Sequence, residues 1–169
     1  MVRTLITGMS AAGKSSTIHQ LVSLGHHAVD LDTEEWSEFV PDDSEHADPG
    51  MDSPLDWRWR ENKVRALLTT AGDSLYVAGT STNQASLYLL LHHVVLLTVP
   101  TDIAMARLAT RTTNDYGKAP GELHRESHLR TIVEPKLRAG ACLVIDTSAA
   151  SVAHVATLIT EHASGMCGA

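Results

Sequence analysis

Near its start the chain carries Gly8-Met9-Ser10-Ala11-Ala12-Gly13-Lys14-Ser15, which fits the pattern G-x-x-x-x-G-K-[ST]. An apolar strand is predicted directly before this stretch, over 4–7, and an amphipathic helix is predicted from Lys14 onward. Glycines let the backbone wrap closely around an anion, so that successive N–H groups and the positive end of the helix meet it. The stretch therefore predicts a phosphate-binding loop between the first strand and the first helix.

The chemistry expected of this loop follows from its residue types. Lys14 is expected to reach the β- and γ-phosphates of a nucleotide, and the Ser15 hydroxyl to supply a ligand to Mg²⁺. The motif thus predicts ATP and Mg²⁺ as cofactors. The residues predicted to hold the nucleotide are Gly8, Ala11, Ala12, Gly13, Lys14, Ser15 and Ser16.

Short apolar strands alternate with amphipathic helices along the rest of the chain, which is typical of an α/β fold with a parallel sheet. Continuously apolar runs such as 94–97 are typical of strands covered on both faces by helices. We predict three layers, α/β/α, around a five-stranded parallel sheet of order 2-3-1-4-5. The predicted strands are 4–7, 27–31, 74–78, 93–99 and 142–145.

Helices are predicted in the intervals between these strands. Thr101 is a plausible N-cap after Pro100, and Pro135 is expected to kink or restart the helix that contains it. The predicted helices are 13–25, 102–112, 120–139 and one that follows Ser148.

Length and charge exclude several classes of protein. With 169 residues the chain has the size of one domain, and its formal charge of −7 disfavours binding to a nucleic-acid backbone. The longest apolar stretch, 87–99, is shorter than the roughly 20 residues of a membrane span. No basic leader with an apolar segment is visible, so we expect a cytoplasmic protein.

The chain has two cysteines, Cys142 in a predicted buried strand and Cys167 in the tail. Both are interpreted as reduced thiols.

The segment 33–56 interrupts the alternating pattern. Between Asp30 and Asp56 there are eleven acidic residues and no Lys or Arg, with prolines and a glycine interleaved. The composition predicts a solvated, loop-rich excursion. It serves either as a charged surface loop or as a mobile segment that covers the substrate.

Two aspartates stand at the end of the second predicted strand. Asp30 and Asp32 lie on the same side of the chain, at the sheet edge where ligands bind in such folds. One carboxylate is suited to supporting Mg²⁺ and the other to accepting a hydrogen bond from an incoming hydroxyl. The alternative interpretation is a pair of surface aspartates, with Asp32 capping a helix over 33–39.

Together, the loop, the Asp-x-Asp pair and the chain length resemble the shikimate kinase and gluconate kinase branch of the nucleoside monophosphate kinase-like P-loop kinases. The resemblance implies acceptor binding and base chemistry for Asp32, and metal support for Asp30. After the third strand this chain has 79–84, Gly-Thr-Ser-Thr-Asn-Gln, in place of the glycine cluster of shikimate kinases. The Asp-Gly-Phe-Pro-Arg pattern of adenylate kinases is also missing.

A further resemblance follows the fourth predicted strand. Arg107 and Arg111 are similar to the R-x-x-x-R region that introduces the lid in these kinases, and 112–121 is then predicted to be a short mobile lid. The spacing of four places both guanidinium groups on one helix face, where they are suited to clamping ATP phosphates and stabilising the transferring group. Solvated helix charges are the alternative.

Residues on the predicted acceptor side are less distinctive. Trp57 and Trp59 are interpreted either as a platform for a ring-shaped acceptor, with Arg58 or Arg60 binding an anionic group, or as helix residues with one tryptophan in the core. Two amides just beyond the third strand are suited either to binding acceptor hydroxyls or to capping a helix that begins near residue 85. These amides are Asn83 and Gln84.

The ten histidines do not form a recognisable metal motif. His124 and His128 have the i, i+4 spacing of a zinc pair, but no third ligand is indicated, and they are interpreted as solvated helix residues. His92 and His93 flank a strand and are interpreted as turn residues.

The function predicted from these features is transfer of the γ-phosphoryl group of ATP to a hydroxyl of a small metabolite. The acceptor stays open between a sugar-like or cyclic polyol, a nucleoside or nucleotide, and an antibiotic hydroxyl. The competing class is an ATP-binding regulatory module that hydrolyses ATP slowly. A guanine-nucleotide switch is disfavoured because neither D-x-x-G nor [NT]-K-x-D occurs.

Overall fold

The structure, a computed structural model, describes residues 1–41, 55–70, 72–110, 112 and 120–165. Several predictions fall outside these ranges: Arg111, Cys167, nearly all of the predicted lid, and the middle of the acidic segment.

The described elements alternate between strands and helices as the sequence predicts. The strands are β1 (Arg3–Thr7), β2 (His27–Asp30), β3 (Ser37–Pro41), β4 (Leu55–Trp59), β5 (Leu75–Ala78), β6 (His93–Thr98) and β7 (Leu143–Asp146). The α-helices are α1 (Lys14–Ser23), α2 (Glu61–Thr69), α3 (Thr101–Thr110), α4 (Pro120–Gly140) and α5 (Val152–Ala163), and a 3-10 helix spans Gln84–Leu90.

Five strands form one parallel sheet in the order β2-β5-β1-β6-β7. These are the five predicted strands, and the predicted α/β class and five-stranded parallel sheet are confirmed. The strand numbers differ from the predicted order 2-3-1-4-5 because β3 and β4 intervene in the chain without joining this sheet. In this order β1 is central, so the phosphate loop emerges from the middle of the sheet.

Helices cover both faces of the sheet. Neighbouring residues of β1 point to opposite sides, since Ile6 packs with buried residues of α1 and α5, whereas Leu5 packs with those of α2 and the 3-10 helix. A third, smaller cluster joins Met9 of the loop and Leu96 of β6 to Leu137 of α4. The result is the three-layer arrangement that the apolar strands predict.

The prediction of a purely loop-rich excursion over 33–56 was wrong at both of its ends. β3 and β4 pair as an antiparallel hairpin, with Ser37 opposite Trp59 and Phe39 opposite Trp57. Apolar and charged residues alternate along β4, which places Trp57 and Trp59 on one face of the hairpin. On that face the Phe39 ring lies 4.6 Å from the Trp57 ring, and Trp59 is buried. The high acidic content of the whole segment concealed these short alternating runs.

Two further expectations also need correction. α4 continues through Pro135 as one helical element, so the predicted restart was wrong, and the alternative of a kink at this proline stays a prediction. Burial of Leu137 beyond the proline, against Met9 and Leu96, favours that continuation. Cys142 is exposed and lies just before β7, not within a buried strand. No described helix is long and apolar enough to cross a membrane.

Candidate active site

The phosphate loop follows β1 in a conformation that needs small residues. A Cβ atom at Gly8 would lie 2.3 Å from the Leu97 carbonyl oxygen of β6, so a larger residue would displace the neighbouring strand. Ala11 has a φ of 63° and Gly13 a φ of 100°, both in the left-handed region. For Ala11 that conformation costs about 1 kcal/mol, which is typical of a loop shaped around a ligand.

The first turn of α1 has no side-chain cap on the backbone N–H groups that face this loop. Gly13 is the N-cap residue and has no side chain, and the first turn carries no acidic residue. Ser15 and Ser16 follow with exposed side chains. Unbonded N–H groups and the helix dipole at this position favour an anion.

Lys14 places its ammonium group over the loop. The Nζ atom donates to the Gly8 carbonyl oxygen at 2.6 Å and lies 3.5 Å from Asp32 Oδ2. The side chain is only 11% exposed, which strengthens its electrostatic interactions relative to those in water. The cation of the loop and the carboxylate after β2 are therefore in direct contact.

The Asp32 carboxylate is held by the turn that follows β5. Thr80 N donates to Asp32 Oδ1 at 3.1 Å, while the Asp32 backbone N–H donates to Asp30 Oδ1 at 3.0 Å. Burial raises the pKa of Asp32, although the positive charge of Lys14 and the Thr80 hydrogen bond act in the opposite direction. A carboxylate with a raised pKa accepts a proton more readily than an ordinary one.

Gly79 leaves a small space beside Asp32. A Cβ atom at Gly79 would lie 2.7 Å from Asp32 Oδ1 and 3.1 Å from Trp59 Nε1, so both polar atoms border the same space. Trp59 is 3% exposed, and its Nε1 has no hydrogen-bond partner among the described residues. A buried N–H without a partner costs about 1–3 kcal/mol, which a ligand with a polar group would recover.

Thr80 connects the carboxylate to the loop, a role that the sequence analysis missed. Its hydroxyl donates to the Gly8 carbonyl oxygen at 2.7 Å and accepts from the Gly8 N–H at 3.2 Å. Because its own N–H bonds Asp32, this single residue relates the position of the loop to that of the carboxylate. Its place directly after a central strand was the only sequence signal.

Arg107 contacts the loop from the α3 side. It donates to the Ala11 carbonyl oxygen at 3.1 Å and to the Thr147 carbonyl oxygen at 2.8 Å. The Thr147 hydroxyl, which is buried, lies 3.0 Å from the Ala12 carbonyl oxygen and contributes to the same network. Arg107 thus bonds the loop backbone, and its predicted role in clamping phosphates stays a prediction.

A buried ion pair on α4 was also missed. Glu126, 2% exposed, accepts a hydrogen bond from Ser10 N at 3.1 Å, and Arg130 Nε lies 3.3 Å from the same carboxylate oxygen. Arg130 also donates to the carbonyl oxygens of Ser10 and Val99. The i, i+4 spacing of an acid and a base was visible in the sequence, but its burial against the loop was not.

The predicted acceptor-side residues form a separate network around the hairpin. Asn83 exchanges hydrogen bonds with the Trp59 backbone, accepting at 3.2 Å and donating at 3.0 Å. The Gln84 amide accepts from Ser81 N and donates to the Tyr88 hydroxyl at 2.7 Å. Binding of acceptor hydroxyls by these amides would require those bonds to break.

Arg58 and Arg60 both form ion pairs on the hairpin. Arg58 Nε lies 2.8 Å from Asp56 Oδ2, and Arg60 lies 2.6 Å from Glu38 Oε2 on the exposed side. Trp57 and Trp59 lie on a strand, so their interpretation as helix residues was wrong, although Trp59 does pack in the core. Trp57 contacts Phe39, and a platform for a ring-shaped acceptor stays a prediction. An anion-binding role for Arg58 stays a prediction.

Comparison with solved structures shows which fold this arrangement shares. The chain is similar to a shikimate kinase from Acinetobacter baumannii in complex with shikimate, with a TM-score of 0.64 and 17% identity over 99% of this chain and 95% of that one. It is similar to TT1252 from Thermus thermophilus, with a TM-score of 0.60 and 14% identity over 99% and 98% of the two chains. It is also similar to a shikimate kinase from Bacteroides thetaiotaomicron, with a TM-score of 0.60 and 16% identity over 95% of this chain and 97% of that one.

These likenesses establish a shikimate-kinase-like P-loop fold over nearly the whole chain. No protein-family model matches the sequence, and no curated protein matches it either.

Proposed function

We propose that this protein transfers the γ-phosphoryl group of ATP to a hydroxyl of a small molecule. The observation that carries the proposal is the 3.5 Å contact between Lys14 Nζ and Asp32 Oδ2. It brings the cation that stabilises a transferring phosphoryl group next to the carboxylate that receives the acceptor hydroxyl. The Asp32 side chain is 27% exposed, so an acceptor hydroxyl can approach it.

The residues around the loop fit a nucleotide with Mg²⁺. The loop forms a cradle of the shape that phosphates require. Its backbone passes close to β6 at Gly8, Ala11 is in the left-handed region, and the first turn of α1 has no side-chain cap. Ser15 would supply a hydroxyl ligand to Mg²⁺, and Asp30 would support the ion directly or through water. The ion would supply positive charge that neutralises the phosphates during the transfer.

Asp32 would orient the acceptor hydroxyl and take its proton. The oxygen of that hydroxyl attacks the γ-phosphorus as the bond to the β-phosphate oxygen breaks, giving the phosphorylated acceptor and ADP. Lys14, which now bonds the Gly8 carbonyl oxygen, would move onto the phosphates. Arg107 would stabilise the same charge, and Arg111 and the lid over 112–121 stay predictions about residues outside the described ranges.

The acceptor would be a small polar alcohol. A neighbour of the same fold is described in complex with shikimate, and the unpartnered Trp59 N–H beside Asp32 supports an acceptor with more than one polar group. A cyclic or sugar-like polyol therefore fits best. Nucleosides, nucleotides and antibiotic hydroxyls share the required chemistry, and the experiment below separates them.

The proposal also covers the domain organisation, the location and the partners of the protein. We propose one kinase domain over 1–169, acting in the cytoplasm on a small-molecule acceptor without nucleic acid or membrane partners. The net charge of −7 agrees with the exclusion of a nucleic-acid partner.

The test is a panel of polyols, nucleosides, nucleotides and aminoglycoside-type alcohols with ATP and Mg²⁺, followed by ADP release and by the mass of the product. Lys14→Ala and Asp32→Asn are each expected to lower acceptor-dependent turnover at least ~100-fold, the scale of a lost charge-stabilising contact. Exposed residues outside the site give matched controls, Lys136→Ala and Asp73→Asn, which should keep wild-type rates.

Two outcomes would contradict the proposal. Phosphate release that no member of the panel accelerates, together with full activity of Asp32→Asn, would favour the slow ATPase module instead. Near-normal turnover of Lys14→Ala would remove the role of the loop cation.

A further inference from the structure

Three potential metal ligands meet at the amino-terminal edge of the sheet. His93 begins β6, Cys142 immediately precedes β7, and His162 lies in the last turn of α5. The Cys142 Sγ and one ring nitrogen of each histidine all lie within 4.8 Å of one another. The phosphate loop leaves the opposite, carboxyl-terminal edge, on the order of 15 Å away at about 3.3 Å per strand residue. The group is therefore separate from the candidate active site.

The geometry of the group is close to that of a tetrahedral centre. Cys142 Sγ lies 3.3 Å from His162 Nε2, and the His93 and His162 rings are 4.9 Å apart at 72°. Bond lengths of about 2.3 Å to sulfur and about 2.1 Å to nitrogen place tetrahedral ligand atoms roughly 3.4–3.6 Å apart. The distance between the cysteine and His162 is within a few tenths of an ångström of this separation, and the His93 nitrogen lies within 4.8 Å of both ligand atoms, so it would have to move closer.

We propose that His93, Cys142 and His162 bind one Zn²⁺ ion, with the fourth position open to water. One thiolate and two imidazoles suit zinc and disfavour Mg²⁺ and Ca²⁺, which take oxygen ligands. Exposure of Cys142 provides an entry path for the ion.

The backbone around Cys142 is arranged to support a thiolate. Val94 N donates to Cys142 Sγ at 3.4 Å, a bond that persists after the thiol loses its proton. Cys142 N donates to the Val94 carbonyl oxygen at 2.9 Å, which fixes the cysteine beside the first residues of β6. Loss of the thiol proton breaks the bond from Sγ to that same carbonyl oxygen, 3.2 Å away, and the repulsion that results would be offset by the bond from sulfur to the ion.

Zinc would attach the last helix to the sheet at a second point. α5 packs on the sheet through apolar residues, among them Val155 and Ile159. His162 of α5 would bind the same ion as residues at the start of β6 and just before β7. The ion would therefore hold the end of α5 against the sheet. Because the ion would bind the folded chain preferentially, it would raise the melting temperature, and the rise would grow with the logarithm of its concentration once that exceeds Kd.

The test is titration of the chelator-treated, full-length protein with Zn²⁺ in the absence of ATP, which itself binds zinc. We expect one ion per chain, and Co²⁺ in its place should give tetrahedral d–d bands with a thiolate charge-transfer band. Cys142→Ser and His162→Ala should each weaken zinc binding at least ~100-fold, beyond the range of outer-sphere changes. Zinc should raise the melting temperature of the wild type and not that of Cys142→Ser.

Matched controls come from the same residue types. Cys167→Ser replaces the chain's other cysteine, and His154→Ala replaces an exposed histidine of α5, so both should bind zinc as the wild type does. If His162→Ala does not fold by circular dichroism, His162→Gln replaces it. Unchanged zinc affinity in Cys142→Ser or His162→Gln, or a cobalt spectrum without a thiolate band, would overturn the proposal.

Discussion

Thr80 and Gly8 exchange two hydrogen bonds, in which the threonine hydroxyl donates to the glycine carbonyl oxygen at 2.7 Å and accepts from its N–H at 3.2 Å. The Thr80 N–H meanwhile donates to Asp32, and Lys14 donates to the same Gly8 carbonyl oxygen. The loop and the carboxylate are therefore positioned through one shared residue. Precise placement of reacting groups is a large part of catalysis in phosphoryl transfer.

Replacing Thr80 should test this connection. Thr80→Val keeps the shape of the side chain and removes the hydroxyl, which leaves the Gly8 N–H without that partner. We expect turnover to fall about 10-fold, equivalent to roughly 1.4 kcal/mol, with a smaller change in the KM for ATP. Thr80→Ser retains the hydroxyl and should keep most of the activity. Wild-type turnover in Thr80→Val, with any loss confined to Thr80→Ser, would assign the role of Thr80 to its methyl group rather than to the hydrogen bonds.

Gly79→Ala should disturb the acceptor side of the site. The added methyl group would lie 2.7 Å from Asp32 Oδ1 and 3.1 Å from the Trp59 indole, closer than packed atoms allow. We expect at least ~10-fold lower turnover and a loss of about 1–3 kcal/mol in the free energy of unfolding, typical of overpacking.

Gly72→Ala is the matched control for that substitution. Gly72 has a φ of 154° against 158° for Gly79, but no atom of the residues that the structure describes lies within 4 Å of its would-be Cβ. Comparing the two variants in steady-state kinetics and in chemical denaturation separates the backbone cost from the steric one. Similar activity of both variants would show that crowding at Asp32 has no effect on the reaction.

The sequence alone predicted the features that follow from local pattern. The apolar runs gave the five parallel strands, and the glycine-lysine motif gave the loop between β1 and α1. The rule that ligands bind at the carboxyl ends of parallel strands was enough to expect Asp32 near Lys14, and the two side chains are in contact. Their chemical roles are not tested by that contact.

Other features depend on tertiary contacts that no local pattern contains. The partner strands β3 and β4 are separated by 42–54, and the composition of the whole segment outweighed their short alternation. His93, Cys142 and His162 come together only when β6, β7 and α5 meet. Glu126 and Arg130 have an ordinary helical spacing, and which helix face is buried was undetermined.

Glu126→Gln should therefore reveal how much the loop depends on α4. The substitution removes the negative charge beside Arg130, which is almost fully buried, and breaking a buried pair in this way costs about 3–5 kcal/mol. We expect that loss in chemical denaturation, together with a higher KM for ATP, because the bond to Ser10 N is weakened.

An exposed pair of the same spacing provides the control. Glu61 lies 2.9 Å from Arg65 on α2, and Glu61→Gln should change the free energy of unfolding little because solvent screens that pair. A Glu126→Gln variant as stable as Glu61→Gln would contradict a supporting role for the buried pair.

The stability of the protein should also report the proton affinity of Asp32. Burial raises its pKa above the ordinary 3.8, so between that pH and the raised value the folded chain binds more protons than the unfolded chain. In that window the free energy of unfolding of the wild type should fall as pH rises, relative to Asp32→Asn, and the difference should level off above it. Urea denaturation of both proteins in EDTA across acidic and neutral pH measures this difference, in which the titration of all other groups largely cancels. A difference that grows with pH would mean that Lys14 and Thr80 outweigh burial, and Asp32 would then be a weaker base than the proposed reaction requires.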